Sequence, residues 1–279
     1  MHNLFEFTLL IAAGSLLAGL LGSLTGLGGG VIIVPLLTLV FHVDIRYAIG
    51  ASLVSVIGTS SGAAAAYLKE GFSNIRVGMF LELATTLGAL CGAYVATRVP
   101  TAAIAIVFGV VLLYSAWTSI KPDENVPIQE RTDRLAAMLK LDGTYPEMEE
   151  PRAYHVRGVP LGFGIMYVAG ALSGLLGIGS GAVKVLAMDR VMSIPFKVST
   201  TTSNFMIGVT AAASAGIYLH RGYIDPGLSM PVVLGVLPGA LLGARILPGA
   251  KVRTLRIIFG VAIAAVAVEM MLKGVKGTL

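Results

Sequence analysis

Two glycine-rich runs, Gly26-Leu27-Gly28-Gly29-Gly30 and Gly177-Ile178-Gly179-Ser180-Gly181, interrupt hydrophobic segments at matching places in the two halves of the chain. A helix starting just after such a break aims unpaired backbone N–H groups and the positive end of its dipole at the gap, which is a seat for an anion. Glycine lets the backbone turn there and a ligand approach closely. Gly28, Gly29, Gly30, Gly179, Ser180 and Gly181 are therefore candidate substrate-binding positions, and tight helix packing is the competing use of the same small residues. Lys184 follows Gly181 by three residues, about one helical turn. Its ammonium would strengthen an anion site, or would snorkel to a surface instead. Further on, Ser199-Thr200-Thr201-Thr202-Ser203-Asn204 crowds hydroxyls and an amide into an otherwise apolar helix. Ser203 and Asn204, with Ser52 at the equivalent place in the first half, are the expected hydrogen-bond donors to oxyanion oxygens, some of the run serving interhelical bonds. Glu82 and Arg245 are charges within apolar segments, readable as coupling groups or as a structural ion pair.

Other chemistries find little support. His2, His42, His155 and His220 lie near segment ends or in a polar stretch, so no metal centre is expected. No HExxH, nucleophile elbow or Walker motif occurs, which argues against an enzyme and gives no cofactor. The net charge of +5 is spread over short segments rather than gathered into a patch, which argues against nucleic acid. Cys91, the single cysteine, sits in an apolar stretch and is expected to be a small buried thiol.

The elements that must position these residues are membrane helices. Of the 279 residues, 56% are hydrophobic and 13% charged, far from the balance of a soluble domain. Residues 4–22 are about long enough to cross a hydrocarbon core and, lacking a basic leader, are expected to be a retained helix rather than a signal peptide. Adding 151 to a residue number maps the first half onto the second without a gap. Residues 18–93 compared with 169–244 give 22 identities in 76 positions, against about six or seven expected by chance, so the chain is a duplication. Tyr67-Leu68 and Gly71 fall on Tyr218-Leu219 and Gly222, matches that a mere abundance of small residues does not explain.

Each copy divides into five hydrophobic segments, near 4–25, 28–43, 46–68, 74–98 and 101–120 in the first. The expected fold is an all-α polytopic membrane protein of about ten helical segments, with a first repeat at 1–120, a cytoplasmic linker at 121–157 and a second repeat at 158–279. The linker is rich in charge and holds Pro122, Pro127, Pro146 and Pro151, and each charge would cost about 2.5 kcal/mol or more in lipid. Within it, Arg131 to Leu141 reads as a short helix, either solvated or resting on the membrane surface. If all five segments cross, basic residues divide 13 to 5 between the two sides, against 11 to 7 for four crossings. The positive-inside rule thus favours an inverted 5+5 repeat with both termini outside. Residues 179–194 are short and hold Lys184, Asp189 and Arg190, so a broken or re-entrant helix enclosed by protein is expected there.

At GLGGGVIIVPLL (Gly26 to Leu37) and GIGSGAVKVLAMDRVMSIPFKVSTTTSNFMIGV (Gly177 to Val209), the sequence resembles the sulfite exporter TauE/SafE family. The resemblance implies an inner-membrane, multi-pass secondary carrier of small anions, chiefly sulfite, thiosulfate or organosulfonates. Val34-Pro35 and Thr202-Ser203 keep the family's pattern, whereas Ser180, Leu186 and Lys184 depart from it and bear on the substrate. The partners expected are a small anion and the bilayer, with homo-oligomerisation undetermined. The rival readings are a passive anion channel, a membrane-embedded enzyme and a non-transporting assembly subunit.

Overall fold

A computed structural model describes residues 4–25, 29–69, 73–120, 133–146, 152–246 and 252–277, with the backbone alone for 4–5, 22–25, 62–69, 118–120, 182, 243–246 and 252–259. The first copy forms α1 (Leu4–Thr25), α2 (Gly30–Pro35) prolonged by a π turn (Leu36–Val40), α3 (Ile45–Lys69), α4 (Ile75–Ala96) and α5 (Thr101–Ile120). A short helix α6 (Arg134–Met138) and a hairpin of β1 (Gly143–Tyr145) and β2 (Arg152–Tyr154) lie between the copies. The second copy forms α7 (Val159–Leu176), α8 (Gly181–Leu186) with its own π turn (Ala187–Val191), α9 (Phe196–His220), α10 (Pro226–Ile246) and α11 (Val252–Lys276).

The duplication holds to the residue in the broken region. Helix α8, its π turn and α9 begin and end 151 residues after α2, its π turn and α3. Both short helices stop in the same way. The Phe41 and Met192 amides reach back to Leu36 and Ala187 carbonyls at 3.3 and 3.0 Å, and His42 and Ser193 then turn left-handed at φ 54° and 56°. Pro35 does not cause the π turn, since the second copy makes the same turn with Leu186 in that place. Each α–π element is eleven residues, or about 16 Å, roughly half a hydrocarbon core.

Helices pack as two related copies must. Helix α1 lies along α10 and α4 along α7, while α3 meets α9 and α5 meets α11. The swapped pairs use the same small residues: a Cβ on Gly88 would strike the Tyr167 carbonyl and one on its mate Gly239 the Leu16 carbonyl. Gly170 and Gly19 likewise face the Thr85 and Val236 carbonyls. For these glycines the packing reading is the right one, with backbones in close approach as membrane helices allow.

Outward faces are apolar. Leu83 and Leu87 of α4, Leu161 and Val168 of α7, and Leu234 and Leu241 of α10 are all exposed, which for a folded chain means a surface meant for lipid. Helices Ile75–Ala96 and Val159–Leu176 are each long and apolar enough to cross a bilayer by themselves. The architecture is that of an all-α polytopic membrane protein. Cys91 corrects an expectation: its thiol is exposed on α4 rather than buried, because an apolar position on a membrane helix can face lipid as readily as core.

The segment between the copies is more than a solvated strap. Leu141, Tyr154 and Val156 are buried against Val77 and Leu81 of α4 and against Ala187, Met188 and Met192 around the second π turn. Asn74 ties this together. Its side chain caps α4 by accepting from the Val77 amide at 3.1 Å and donates to the Leu141 carbonyl at 3.0 Å and the Tyr154 hydroxyl at 2.7 Å. Burial pushes the Tyr154 phenol above its ordinary pKa, against the pull of the Asn74 bond, and keeps it a neutral acceptor. The predicted helix of this region is shorter than expected, Arg134–Met138, and leaves Leu135 and Met138 exposed.

Candidate functional site

The two breaks meet in space. Ser52 of α3 donates to the Gly177 carbonyl at 2.8 Å, and a Cβ on Gly30 would come within 2.9 Å of that same oxygen. The first break thus backs onto the second across the α3–α9 contact. Gly28 lies outside the described residues. Gly29 is right-handed, at φ −62°, and starts α2 as an ordinary helical turn whose carbonyl accepts from the Ile32 and Ile33 amides.

The second break is built differently. Gly177, Gly179 and Ser180 are all left-handed, with φ of 69°, 74° and 44°. Two of these are glycines, which adopt that region freely. Ser180 is not, and it holds the strained geometry at the N-cap of α8 without capping it: its side chain makes no cap bond. Its Oγ is buried and has no hydrogen-bond partner. A buried hydroxyl left unpaired costs about 1–3 kcal/mol; Ser15, Ser73, Ser173 and Ser229 share that state, and Ser180 is the one of them that stands in a break, at the start of a half-helix. Gly179 and Gly181 pack against Ile207, and Ser203 reaches the Gly181 carbonyl at a long 3.4 Å. Asn204 lies half-buried on α9, next to Ser203.

One turn into α8, Lys184 is completely buried. Its Nζ donates to Thr210 Oγ1 of α9 at 2.6 Å, and that hydroxyl bridges to Glu82 Oε1 of α4 at 2.7 Å. Thr86 Oγ1 also donates to Glu82 Oε1, at 3.1 Å, while Glu82 Oε2 is buried with no partner. Glu82 and Lys184 are the two charged side chains among the buried described residues. Three elements from both copies thus converge on a neutral Lys–Thr–Glu relay beside the second break. Arg245 belongs to α10, and its side chain lies outside the described residues.

Sequence reasoning singled out Lys184, Glu82, Ser52, Ser180 and Ser203 but passed over Thr210, which joins two of them. The signal was there: Thr210 lies seven residues after Ser203, on the same face of α9, and it is identical to Thr59 in the repeat register. It also passed over Asn74, whose backbone amide donates to the Thr202 hydroxyl at 3.0 Å. Two clefts lie apart from the breaks. One of about 260 Å³ sits between Ser73–Arg76 and the hairpin, and one of about 670 Å³ sits beside Phe7, Tyr47 and Asp225. No group of three or more metal-binding side chains occurs among the described residues.

A duplicated helical bundle whose two breaks meet is an arrangement found in membrane transporters built from repeats. The sequence model of the sulfite exporter TauE/SafE family matches residues 11–270, and the chain belongs to that family. It is 28% identical over 277 residues to the probable membrane transporter protein YunE of Bacillus subtilis (strain 168), covering 97% of this chain and 99% of that protein. It is 26% identical to the probable membrane transporter protein MJ0441 of Methanocaldococcus jannaschii, covering 96% and 98% of the two. A second Bacillus subtilis protein, the probable membrane transporter protein YdhB, is 26% identical over 85% of this chain and 89% of its own length. No solved structure matches.

Proposed function

We propose that this protein is a secondary carrier of small anions, of the sulfite and organosulfonate class, working by alternating access about the junction of the two breaks. It sits in the inner membrane with its repeats inverted, residues 121–157 forming a cytoplasmic linker between repeat 1–120 and repeat 158–279. The observation that carries the reading is Ser180. A buried, unpartnered hydroxyl in a left-handed turn at the start of a half-helix is a donor with no structural employment, beside backbone N–H groups that have no partner inside the helix. Lys184 lies one turn beyond and supplies positive charge. Gly28, Gly29, Gly30, Gly179 and Gly181 let the backbones approach the ligand. Ser203 and Asn204 stand on the facing helix as further donors, whereas the one hydroxyl proton of Ser52 is taken by the Gly177 carbonyl, so that Ser52 acts through the backbone of the break. The protein carries its cargo unchanged.

In proteoliposomes, labelled sulfite, thiosulfate and sulfoacetate should show saturable uptake by at least one of the three, faster when the same anion is preloaded on the other side. Saturable uptake without that acceleration would turn the reading into a channel. No saturable flux for any of them would overturn it.

A further inference from the structure

The relay has a counterpart, and the counterpart is apolar. In the 151-residue register Lys184, Thr210 and Glu82 correspond to Ile33, Thr59 and Val233. Ile33 is fully buried, as Lys184 is, and Thr59 turns its hydroxyl back to the Ser55 carbonyl at 3.1 Å, the bond that Thr210 also makes to the Met206 carbonyl at 2.9 Å beside its contacts with Lys184 and Glu82. The same fold therefore accepts Ile and Val where it carries Lys and Glu. A buried ion pair is weak evidence for stability, since apolar replacements do as well or better, and ionisable residues inside membrane helices mark ion or substrate pathways.

The chemistry of the relay says which pathway. Glu82 offers one oxygen bonded by Thr86 and Thr210 and one buried oxygen with no partner, which is where a proton can be held. Among the described residues Lys184 is the charged group that faces it. Helix α7, packed along α4, carries no charged residue between Val159 and Leu176, and α9 carries Lys197 and His220 at its ends only. Asp189 and Arg190, beyond α8, pair with each other at 3.6 Å.

We propose that Glu82, Thr210 and Lys184 make the carrier a symporter of one proton with one singly charged anion, such as the hydrogen form of sulfite. This rests on the carrier reading given above. Uncompensated charge is expensive away from water, so only neutral sites can cross. One is the site as described, with Glu82 ionised and its charge matched by Lys184 through Thr210. The other has a proton from the aqueous side on Glu82 Oε2, Lys184 released from the carboxylate, and an anion at Ser180 taking up the lysine's charge. A proton without an anion leaves the site at plus one, and an anion without a proton leaves it at minus one. Neither moves. Return of the empty carrier restores the ion pair and completes the cycle, with no net charge transferred.

The test uses the full chain in proteoliposomes holding a trapped pH indicator, with protein-free vesicles as control and labelled sulfite as probe. Sulfite entry should acidify the interior by about one proton per anion beyond what hydrogen sulfite releases by its own dissociation, and an imposed pH gradient should accumulate the hydrogen form about tenfold per pH unit, since 1.4 kcal/mol is a factor of ten. The double variant Glu82→Val/Lys184→Ile writes the first copy's residues into the second. It should fold, judged by a single peak in detergent gel filtration, and should lose both sulfite uptake and acidification. Sulfite flux without proton entry in the wild type would overturn the coupling and leave the carrier reading standing. So would proton-linked flux surviving in the double variant. Absence of saturable sulfite, thiosulfate and sulfoacetate flux in the wild type would overturn both.

Discussion

The two breaks share a register, a length and a termination, yet only one of them holds polar chemistry. At the first, Gly29 is right-handed, α2 begins as a regular turn, and the interior position one turn on is Ile33. At the second, three of four consecutive positions are left-handed, the N-cap hydroxyl has no partner, and the interior position is Lys184. Duplication gave both halves the means to break a helix. On the proposed carrier reading, the first half kept that break as a scaffold and the second turned it into a binding surface, because the fold demanded neither Ser180 nor Lys184 of the first copy.

Writing the first break into the second should have its largest effect at the relay. Lys184→Ile leaves Glu82 buried without its partner, and losing one member of a buried pair costs about 3–5 kcal/mol. Thermal unfolding in detergent should register that loss, and Glu82→Val in the same chain should recover most of it. If the single variant is as stable as the wild type, the relay is not the buried ion pair described here.

Next comes the backbone. Gly179 is left-handed at φ 74° and a Cβ there would meet Ile207 Cγ2 at 2.9 Å. Gly179→Ala should cost about 1–3 kcal/mol, the usual range for a residue forced into a sparsely populated conformation. Gly29→Ala is the control. Its φ is ordinary, and the new methyl would touch Val236 and Ile33 at 3.4 and 3.5 Å, so a change within about 0.5 kcal/mol is expected. Equal costs at the two sites would remove the backbone half of the comparison.

Much of this was legible in the sequence. Hydrophobic segments, the linker and the 151-residue register placed the ten long and broken helices, and the glycine runs marked the breaks, because these features are written in composition and spacing. What was not legible depends on rotation about a helix axis or on distant contacts. Cys91 was expected inside and faces out, since lipid and core ask for the same apolar residue. The relay joins Glu82 to residues more than a hundred positions later, and its bridging Thr210 is matched by an identical Thr59 that makes the same bond back along its own helix, so that only the contacts to Glu82 and Lys184 set the two apart. The hairpin between the copies was hidden in a stretch whose charge pointed to solvent, although Tyr154 and Val156 bury there.

A smaller contrast separates the paired serines. Ser52 closes a 2.8 Å bond to the Gly177 carbonyl, whereas its mate Ser203 reaches the Gly181 carbonyl at only 3.4 Å. Ser52→Ala should therefore lose about 1–2 kcal/mol by leaving a buried carbonyl short of a partner, and Ser203→Ala under about 0.5 kcal/mol, in the same unfolding assay. An anion affinity that falls for Ser203→Ala with stability unchanged would assign Ser203 to the ligand.

Ser180→Gly gives the smallest effect on the fold and the most discriminating one, because its two readouts move in opposite directions. Removing the side chain relieves a left-handed serine, a strain of about 1–2 kcal/mol, offset in part by the greater freedom of glycine in the unfolded chain, about 0.5–1 kcal/mol. It also removes a hydroxyl that bonds nothing in the protein. Stability should stay level or rise by about 1 kcal/mol or less. Anion affinity should fall by a few-fold, the worth of one hydrogen bond at about 0.5–1.5 kcal/mol. A serine kept for the fold would lose stability on removal and leave affinity alone, so unfolding and equilibrium binding measured on the same preparation separate the two roles.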